Sequence, residues 1–186
     1  HNTITCWVLK CDIRKFFASI DHQILSSILQ EYIPNQDILG LLQSIIGSFH
    51  TELKPGVGLP LGNLTSQLFA NIYMNRFDQW VKHKLKATYY VRYADDFVFL
   101  SHDKSQLESI VSRIQEFLQA SLKLSLHPDK LFLSTTASGV DFLGWVNFPN
   151  HRILRATTRR RMLAHIKIHP TKEILQSYLG LLGHGN

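Results

Sequence analysis

The sequence predicts an α+β fold in which an antiparallel sheet is backed by helices. Three observations lead to it. β-rich runs cluster along the chain, segments with helical spacing lie between them, and several runs are close enough to pair as hairpins. The 186 residues, 45% of them hydrophobic, are one domain's worth or one and a fraction, with ample material for a core.

Thr5 to Ile13 alternates and is rich in β-formers, giving a strand that ends at Asp12. Asp21 caps a helix, because Ile24, Leu25, Ile28, Leu29 and Tyr32 recur at helical spacing behind it. Pro34 ends that helix, and Ile38, Leu39, Leu42, Ile45, Ile46 and Phe49 define a second. Lys54 to Gly62 holds three glycines and two prolines in nine residues, which makes it a shaped loop. A long helix follows from about Asn63 to Lys86, expected to turn Leu64, Leu68, Ile72 and Trp80 inward.

Thr88 to Ser101 reads as a hairpin with Ala94, Asp95 and Asp96 at its tip. Asp103 and Gln106 form a capping-box pattern before a helix whose stripe is Leu107, Ile110, Val111, Ile114, Phe117 and Leu118. Three further β runs are expected at Leu131–Thr135, Val140–Phe148 and Ile153–Ala156, before basic helical sequence that starts near Thr157 and is interrupted at Pro170.

No segment is long or apolar enough to span a bilayer, and no signal-peptide pattern opens the chain. Cys6 and Cys11 lie in one expected strand, about 16 Å apart in extended chain, too far to bridge. A reducing cytoplasmic location without a membrane partner fits. The net charge of +6 is uneven: no acid lies between Asp141 and Glu173, where Arg152, Arg155, Arg159, Arg160, Arg161, Lys167 and Lys172 contribute +7 and leave −1 for the rest. Such a basic end suits a polyanion, with a solvated helix face as the plainer reading.

Asp12 ends a mostly apolar strand, and Asp95 and Asp96 sit between the apolar runs of the hairpin. Asp favours turns, and that alone accounts for an Ala-Asp-Asp tip. Adjacent like charges between buried strands also repel unless a cation lies between them. Carboxylates are hard oxygen ligands matched to magnesium, and two ions about 3.5–4 Å apart suit phosphoryl transfer.

These residues resemble the polymerase motifs of reverse transcriptases. Val8-Leu-Lys-Cys-Asp12-Ile-Arg-Lys-Phe-Phe17 is similar to motif A, and Gly58-Leu-Pro-Leu-Gly-Asn-Leu-Thr-Ser-Gln67 with the residues to Tyr73 is similar to motif B. Tyr93-Ala-Asp-Asp96 matches motif C, Ser125-Leu-His-Pro-Asp-Lys130 resembles motif D, and Val140-Asp-Phe-Leu-Gly-Trp145 resembles the hairpin of motif E. The five blocks stand in the family's order over roughly residues 5 to 150.

The resemblance implies a polymerase palm over residues 1–150, lacking its fingers, then a basic connection and the start of a helical thumb over 151–186. It implies RNA-directed DNA synthesis with Asp12, Asp95 and Asp96 as catalytic residues holding two Mg2+ ions, Mn2+ being a substitute. Ile13, Arg14, Lys15, Phe16, Phe17, Leu61, Gly62 and Lys130 would meet the incoming nucleotide. Phe17 stands at the steric-gate position, or is a core ring beside Phe16. Lys130 would serve the pyrophosphate, or is a surface lysine. Leu143, Gly144 and Trp145 would form the primer grip, Trp145 being alternatively a core anchor, and Arg152, Arg155, Arg159, Arg160 and Arg161 would bind nucleic acid.

The implied partners are template RNA, a DNA primer, dNTPs and, for one subfamily, a retroelement accessory protein. That subfamily is the diversity-generating retroelement type, which the aliphatic Leu61 before Gly62 and the pair Ser66-Gln67 resemble, where most reverse transcriptases carry Gln and Ser-Pro. Group II intron and retron enzymes, and a maturase-like RNA-binding module, are the alternatives. A nuclease is disfavoured, because the ten histidines lack metal-ligand spacing.

Overall fold

The computed structural model describes residues 5–51 and 54–183, so residues 1–4 of the expected palm and 184–186 of the expected thumb lie outside the described residues. β1 (Trp7–Cys11) leads into a one-turn helix α1 (Phe16–Ser19), then α2 (His22–Tyr32) and α3 (Gln36–Gly47). Asp21 caps α2 as expected, its Oδ1 accepting from the backbone N–H groups of Gln23 and Ile24. Asn35 caps α3 in the same way. The glycine-rich loop is tied to α1: the Gly58 N–H donates to the Ile20 carbonyl, and the Leu59 N–H to the Phe17 carbonyl, each at 2.8 Å. Gly58 is at φ +110°, and a Cβ there would meet Thr51 at 2.9 Å, so the loop needs glycine at this point.

α4 (Leu64–Trp80) ends in a π-helical turn, Val81–Leu85, and is followed by the hairpin β2 (Tyr89–Tyr93) and β3 (Asp96–Ser101). α5 (Lys104–Leu122) carries the expected stripe, with Leu107, Ile110, Ile114 and Leu118 buried. Its cap is relayed rather than reciprocal. Asp103 accepts from Ser105 and Gln106, while its own N–H donates to Ser101 Oγ, which donates in turn to Gln106. β4 (Phe132–Thr135), β5 (Val140–Phe142), β6 (Trp145–Asn147) and β7 (Arg152–Leu154) precede α6 (Ala156–Ile168) and α7 (Lys172–Leu182).

The strands form two antiparallel sheets, β2-β3-β1-β4 and β5-β6-β7. The fold is thus the expected mixture of helices and antiparallel sheet. Leu9, Cys11, Phe97 and Phe99 alternate onto one face of the large sheet and join the helices in the core. Val8, Val98 and Leu100 face the other way and, with Val140, Phe142 and Phe148, line a cavity of about 450 Å³ between the sheets. Among the described residues no helix is long and apolar enough to cross a membrane. Cys6 and Cys11 are free thiols.

Four expectations need correction. α4 turns Ser66, Phe69, Ala70, Tyr73, Met74 and Phe77 inward, while Leu64 and Leu68 are exposed and Ile72 and Trp80 are only partly buried. Hydropathy misplaces this stripe because small residues admit close neighbours and Tyr73 buries its ring while its hydroxyl donates to the Leu122 carbonyl at 2.7 Å. The inner faces of the two preceding helices are narrower than their periodicity suggests: Tyr32, Ile38, Ile45 and Phe49 are exposed. The Val140–Phe148 run is broken into two strands by a two-residue turn at Leu143 and Gly144, both with positive φ. The last run is shorter than expected, Arg152–Leu154, because Ala156 already starts α6.

Phe77 sits at the centre of an aromatic cluster, with ring centroids 5.0 Å from Phe97, 5.9 Å from Trp80 and 6.0 Å from both Tyr90 and Phe117. The ring joins α4, α5 and both strands of the hairpin, so its loss opens a cavity none of them fills alone. Phe77→Ala should lower the unfolding free energy by about 3–5 kcal/mol in a urea titration. A loss under roughly 1 kcal/mol would show that the cluster closes over the gap.

Candidate active site

The site is built by strand register. Cys11 pairs with Phe97, so the next residues outward on β1 and β3 are Asp12 and Asp96. β2 and β3 close with Tyr93 opposite Asp96, which leaves Ala94 and Asp95 as the two-residue turn. The three acids therefore meet at one end of the large sheet. Asp12 is buried, and its backbone is held from the far side. Its carbonyl accepts from the His127 N–H at 2.8 Å, Ile13 bridges Leu126, and the Arg14 N–H donates to the Ser125 carbonyl at 2.9 Å.

Two lysines face these acids. Lys130 Nζ lies 2.9 Å from Asp12 Oδ2, and Lys10 Nζ lies 3.8 Å from Asp96 Oδ1. Burial, and then the charges of Asp12 and Asp96, hold the Asp95 carboxyl above the usual range. Burial also raises Asp96, with Lys10 opposing the rise and Asp12 adding to it. Carboxylate oxygens are the donors magnesium takes, and crowded acids are what a divalent cation relieves. Among the described residues no three Asp, Glu, His or Cys groups are already gathered about one point. The donor set has the chemistry a divalent ion takes, but Asp12 is turned to Lys130 and Asp96 to Lys10, so an ion there would have to displace the two ammonium groups.

Asp12, Arg14, Lys15, Asp95, Asp129 and Lys130 line a cavity of about 550 Å³ beside the acids, with Ile13 and Phe16 also at its wall. Lys15 has φ 48°, a left-handed conformation that turns the chain sharply after Asp12. Phe16 is a buried core ring, whereas Phe17 is partly buried and meets it edge-on at 5.3 Å. Leu61 and Gly62 lie outside this cavity, in the turn before α4, with Leu61 78% exposed and Gly62 at φ +91°. Leu143 and Gly144 form the turn of the small sheet, and Trp145 on β6 lies under the Arg152 guanidinium at 4.9 Å.

The arginines of the basic segment divide into two sets. Arg155 pairs with Asp141, and its N–H donates to the Gly144 carbonyl at 3.0 Å, so it fastens α6 to the small sheet. Arg159, Arg160 and Arg161 are exposed along α6.

Sequence reasoning missed Lys10 and the groups behind the acid turn. Lys10 is two residues before Asp12 and so shares its face of the strand, a signal that was readable. Arg92 on β2 donates two bonds to the Asp78 carboxylate of α4, Nε to Oδ1 at 2.8 Å and Nη2 to Oδ2 at 2.6 Å. Arg92 Nη1 also donates to Asn71 Oδ1 at 3.2 Å and to the Ala94 carbonyl at 2.9 Å. The Tyr90 hydroxyl donates to Asp78 at 2.7 Å. No local pattern announces partners fourteen residues apart.

Paired acids on adjacent antiparallel strands, against a helical layer, define a polymerase-type palm. The chain belongs to the reverse transcriptase (RNA-dependent DNA polymerase) family, whose model matches residues 1–146. It is 27% identical over 189 aligned positions to protein YkfC of Escherichia coli, covering 82% of this chain and 48% of that protein. It is 22% identical to the group II intron-encoded protein LtrA of Lactococcus lactis, covering 83% of this chain and 36% of that one. The chain thus spans less than half the length of these curated relatives. Among solved structures, telomerase from Candida albicans superposes with a TM-score of 0.63 at 18% identity, over 82% of this chain and 31% of that chain, a likeness of fold.

Raised carboxyl pKa values mean that the folded state holds these protons more tightly than the unfolded chain does. Ionising them therefore disfavours the fold, by a penalty absent at low pH that grows as pH rises through the raised values. Asp95→Asn should raise the stability of metal-free protein at pH 7 by about 0.5 kcal/mol, a figure discounted for partial exposure to solvent. The gain should shrink near pH 4, and added magnesium should raise the melting temperature of wild type more than that of the variant. Equal melting curves at both pH values would show that the acids do not repel.

Proposed function

We propose that the protein carrying this chain is an RNA-templated DNA polymerase that works by two-metal nucleotidyl transfer. The convergence of Asp12, Asp95 and Asp96 at one sheet end, in a chain of the reverse transcriptase family, carries this reading. Residues 1–150 are read as the palm, and 151–186 as the connection and start of the thumb. Asp12, Asp95 and Asp96 would hold two magnesium ions, which would activate the primer hydroxyl and neutralise charge on the triphosphate.

The chain's own groups have distinct tasks in this reading. The turn from Ile13 to Phe16, walling the cavity beside the acids, would take the phosphates of the incoming nucleotide, with Phe17 against its sugar. Lys130, at the wall of the same cavity, would neutralise or protonate the departing pyrophosphate. Leu143, Gly144 and Trp145 would seat the primer end. Arg159, Arg160 and Arg161 would bind the phosphates of the primer and template from α6, while Arg155 would act from its ion pair.

In full-length protein, Asp95→Asn should cut primer extension on an RNA template by roughly a hundredfold or more, the scale of losing one electrostatic stabiliser of a transition state. The far-ultraviolet circular dichroism should be unchanged. Extension near the wild-type rate would overturn the metal role of Asp95.

The template class has two supports that point apart. The names of relatives include a group II intron-encoded protein and a further intron protein, which favours an intron-type enzyme. Leu61 before Gly62, together with Ser66-Gln67, favours error-prone copying of a template RNA in a diversity-generating retroelement, with its accessory protein. The exposed Leu61 side chain offers shape and no hydrogen bond, and a site that only fits shape discriminates less. On the retroelement reading, cDNA from the full-length enzyme carries frequent errors opposite template adenines, and Leu61→Gln lowers them. Equal error spectra from the two enzymes would show that Leu61 is a packing residue and that any infidelity has another source, whereas faithful copying by the wild type would leave the intron-type reading in its place.

A further inference from the structure

We propose that Arg92 and Asp78 are positioning residues that fix the metal-binding turn by holding Ala94 in a conformation it would otherwise avoid. The inference rests on the reading of Asp12, Asp95 and Asp96 as divalent-ion ligands, and concerns how the turn that carries two of them is aimed.

The turn between β2 and β3 has only two residues, and Ala94, the first, lies at φ 52°. This is the left-handed region, where a Cβ crowds the backbone and glycine is preferred. Ala94 is held there from behind. The Arg92 side chain is 9% exposed, and its Nη1 donates to the Ala94 carbonyl at 2.9 Å. That carbonyl belongs to the peptide joining Ala94 to Asp95, so fixing it fixes the peptide plane from which the Asp95 side chain leaves.

The guanidinium is in turn anchored on α4. Its remaining donors reach Asp78 in a two-pronged pair and Asn71 about two turns earlier on the same helix face. The Tyr90 hydroxyl occupies a further acceptor position of Asp78, so the carboxylate is held from two strand residues. A buried ion pair of this kind adds little net stability, because desolvation offsets attraction, and is better explained by the geometry it imposes. Lysine could keep the charge but not the two-pronged fork, so the substitution separates charge from geometry.

α4 also begins directly after the Leu61–Gly62 turn, whereas Asn71 and Asp78 lie further along it. The acid turn therefore takes its aim from the middle and the last turn of a 17-residue helix. Outer groups that orient metal ligands typically change metal affinity ten- to a hundredfold when removed, as a general order of magnitude (~10–100).

The test is a double-mutant cycle in the full-length protein, read by Mn2+ binding in electron paramagnetic resonance rather than by activity. Arg92→Lys should weaken Mn2+ binding about tenfold. Adding Ala94→Gly, which removes the Cβ that the left-handed turn disfavours, should recover most of that loss, because a glycine turn needs less holding. Binding is measured on protein shown to be fully folded by circular dichroism, which removes any effect on overall stability, so additive losses, or wild-type Mn2+ binding by Arg92→Lys, overturn the proposal. If Arg92→Lys does not fold, the cycle is run with Asp78→Asn, and the same pattern is required of it. Asp95→Asn, measured alongside, separates the two readings: Mn2+ binding unaffected by Asp95→Asn removes the metal site itself, whereas loss of binding there with an additive Arg92 cycle removes only the positioning role.

Discussion

Five consecutive residues of β1 pair with five of β3, from Trp7 opposite Ser101 to Cys11 opposite Phe97, and this register sets what stands at the end of each strand. Side chains alternate along a strand, so a slip of one residue would exchange the two faces of β1. Leu9 and Cys11 would leave the core, and Lys10 would be driven into it. The apolar residues that hold the register are therefore the same constraint that delivers Asp12 beside Asp96. The meeting of the acids and the packing of the core are two consequences of one ladder.

That ladder brings like charges together, and the surroundings answer with positive groups from three directions. Lys10 approaches along the sheet and Lys130 from the short helical turn after His127, while the charge of Arg155 reaches Asp96 from the junction with α6. Asp95 and Asp96 nevertheless remain harder to ionise than ordinary carboxyls. A site in that state is poised to accept further positive charge. The same surroundings set a limit, because Lys130 must leave Asp12 before an ion can take its place.

Much of the scaffold could be read from the chain. The caps at Asp21 and Asp103, the stripe of α5 and the acid hairpin all depend on neighbours a few residues apart, and such signals survive in sequence. The inner face of α4 did not, because Ser66, Ala70 and Tyr73 are selected there by space and by a buried hydroxyl rather than by hydropathy. The break at Leu143 was hidden by an apolar residue in a left-handed turn. At the site, Asp12, Asp95 and Asp96 were visible as acids in apolar context, but their meeting depended on a pairing between segments some eighty residues apart. Arg155 reads in sequence as one more cation of the basic segment, whereas the fold pairs it with Asp141.

The central claim is that β1 and the hairpin share divalent ions through three carboxylates. Anomalous scattering from crystals of the full-length protein soaked in manganese reads this directly. The account predicts strong peaks at the end of the large sheet, bound by Asp12 and Asp95 with Asp96 alongside, and Lys130 moved off Asp12. Manganese absent from that position at saturating concentration, with Lys130 still on Asp12, would contradict it.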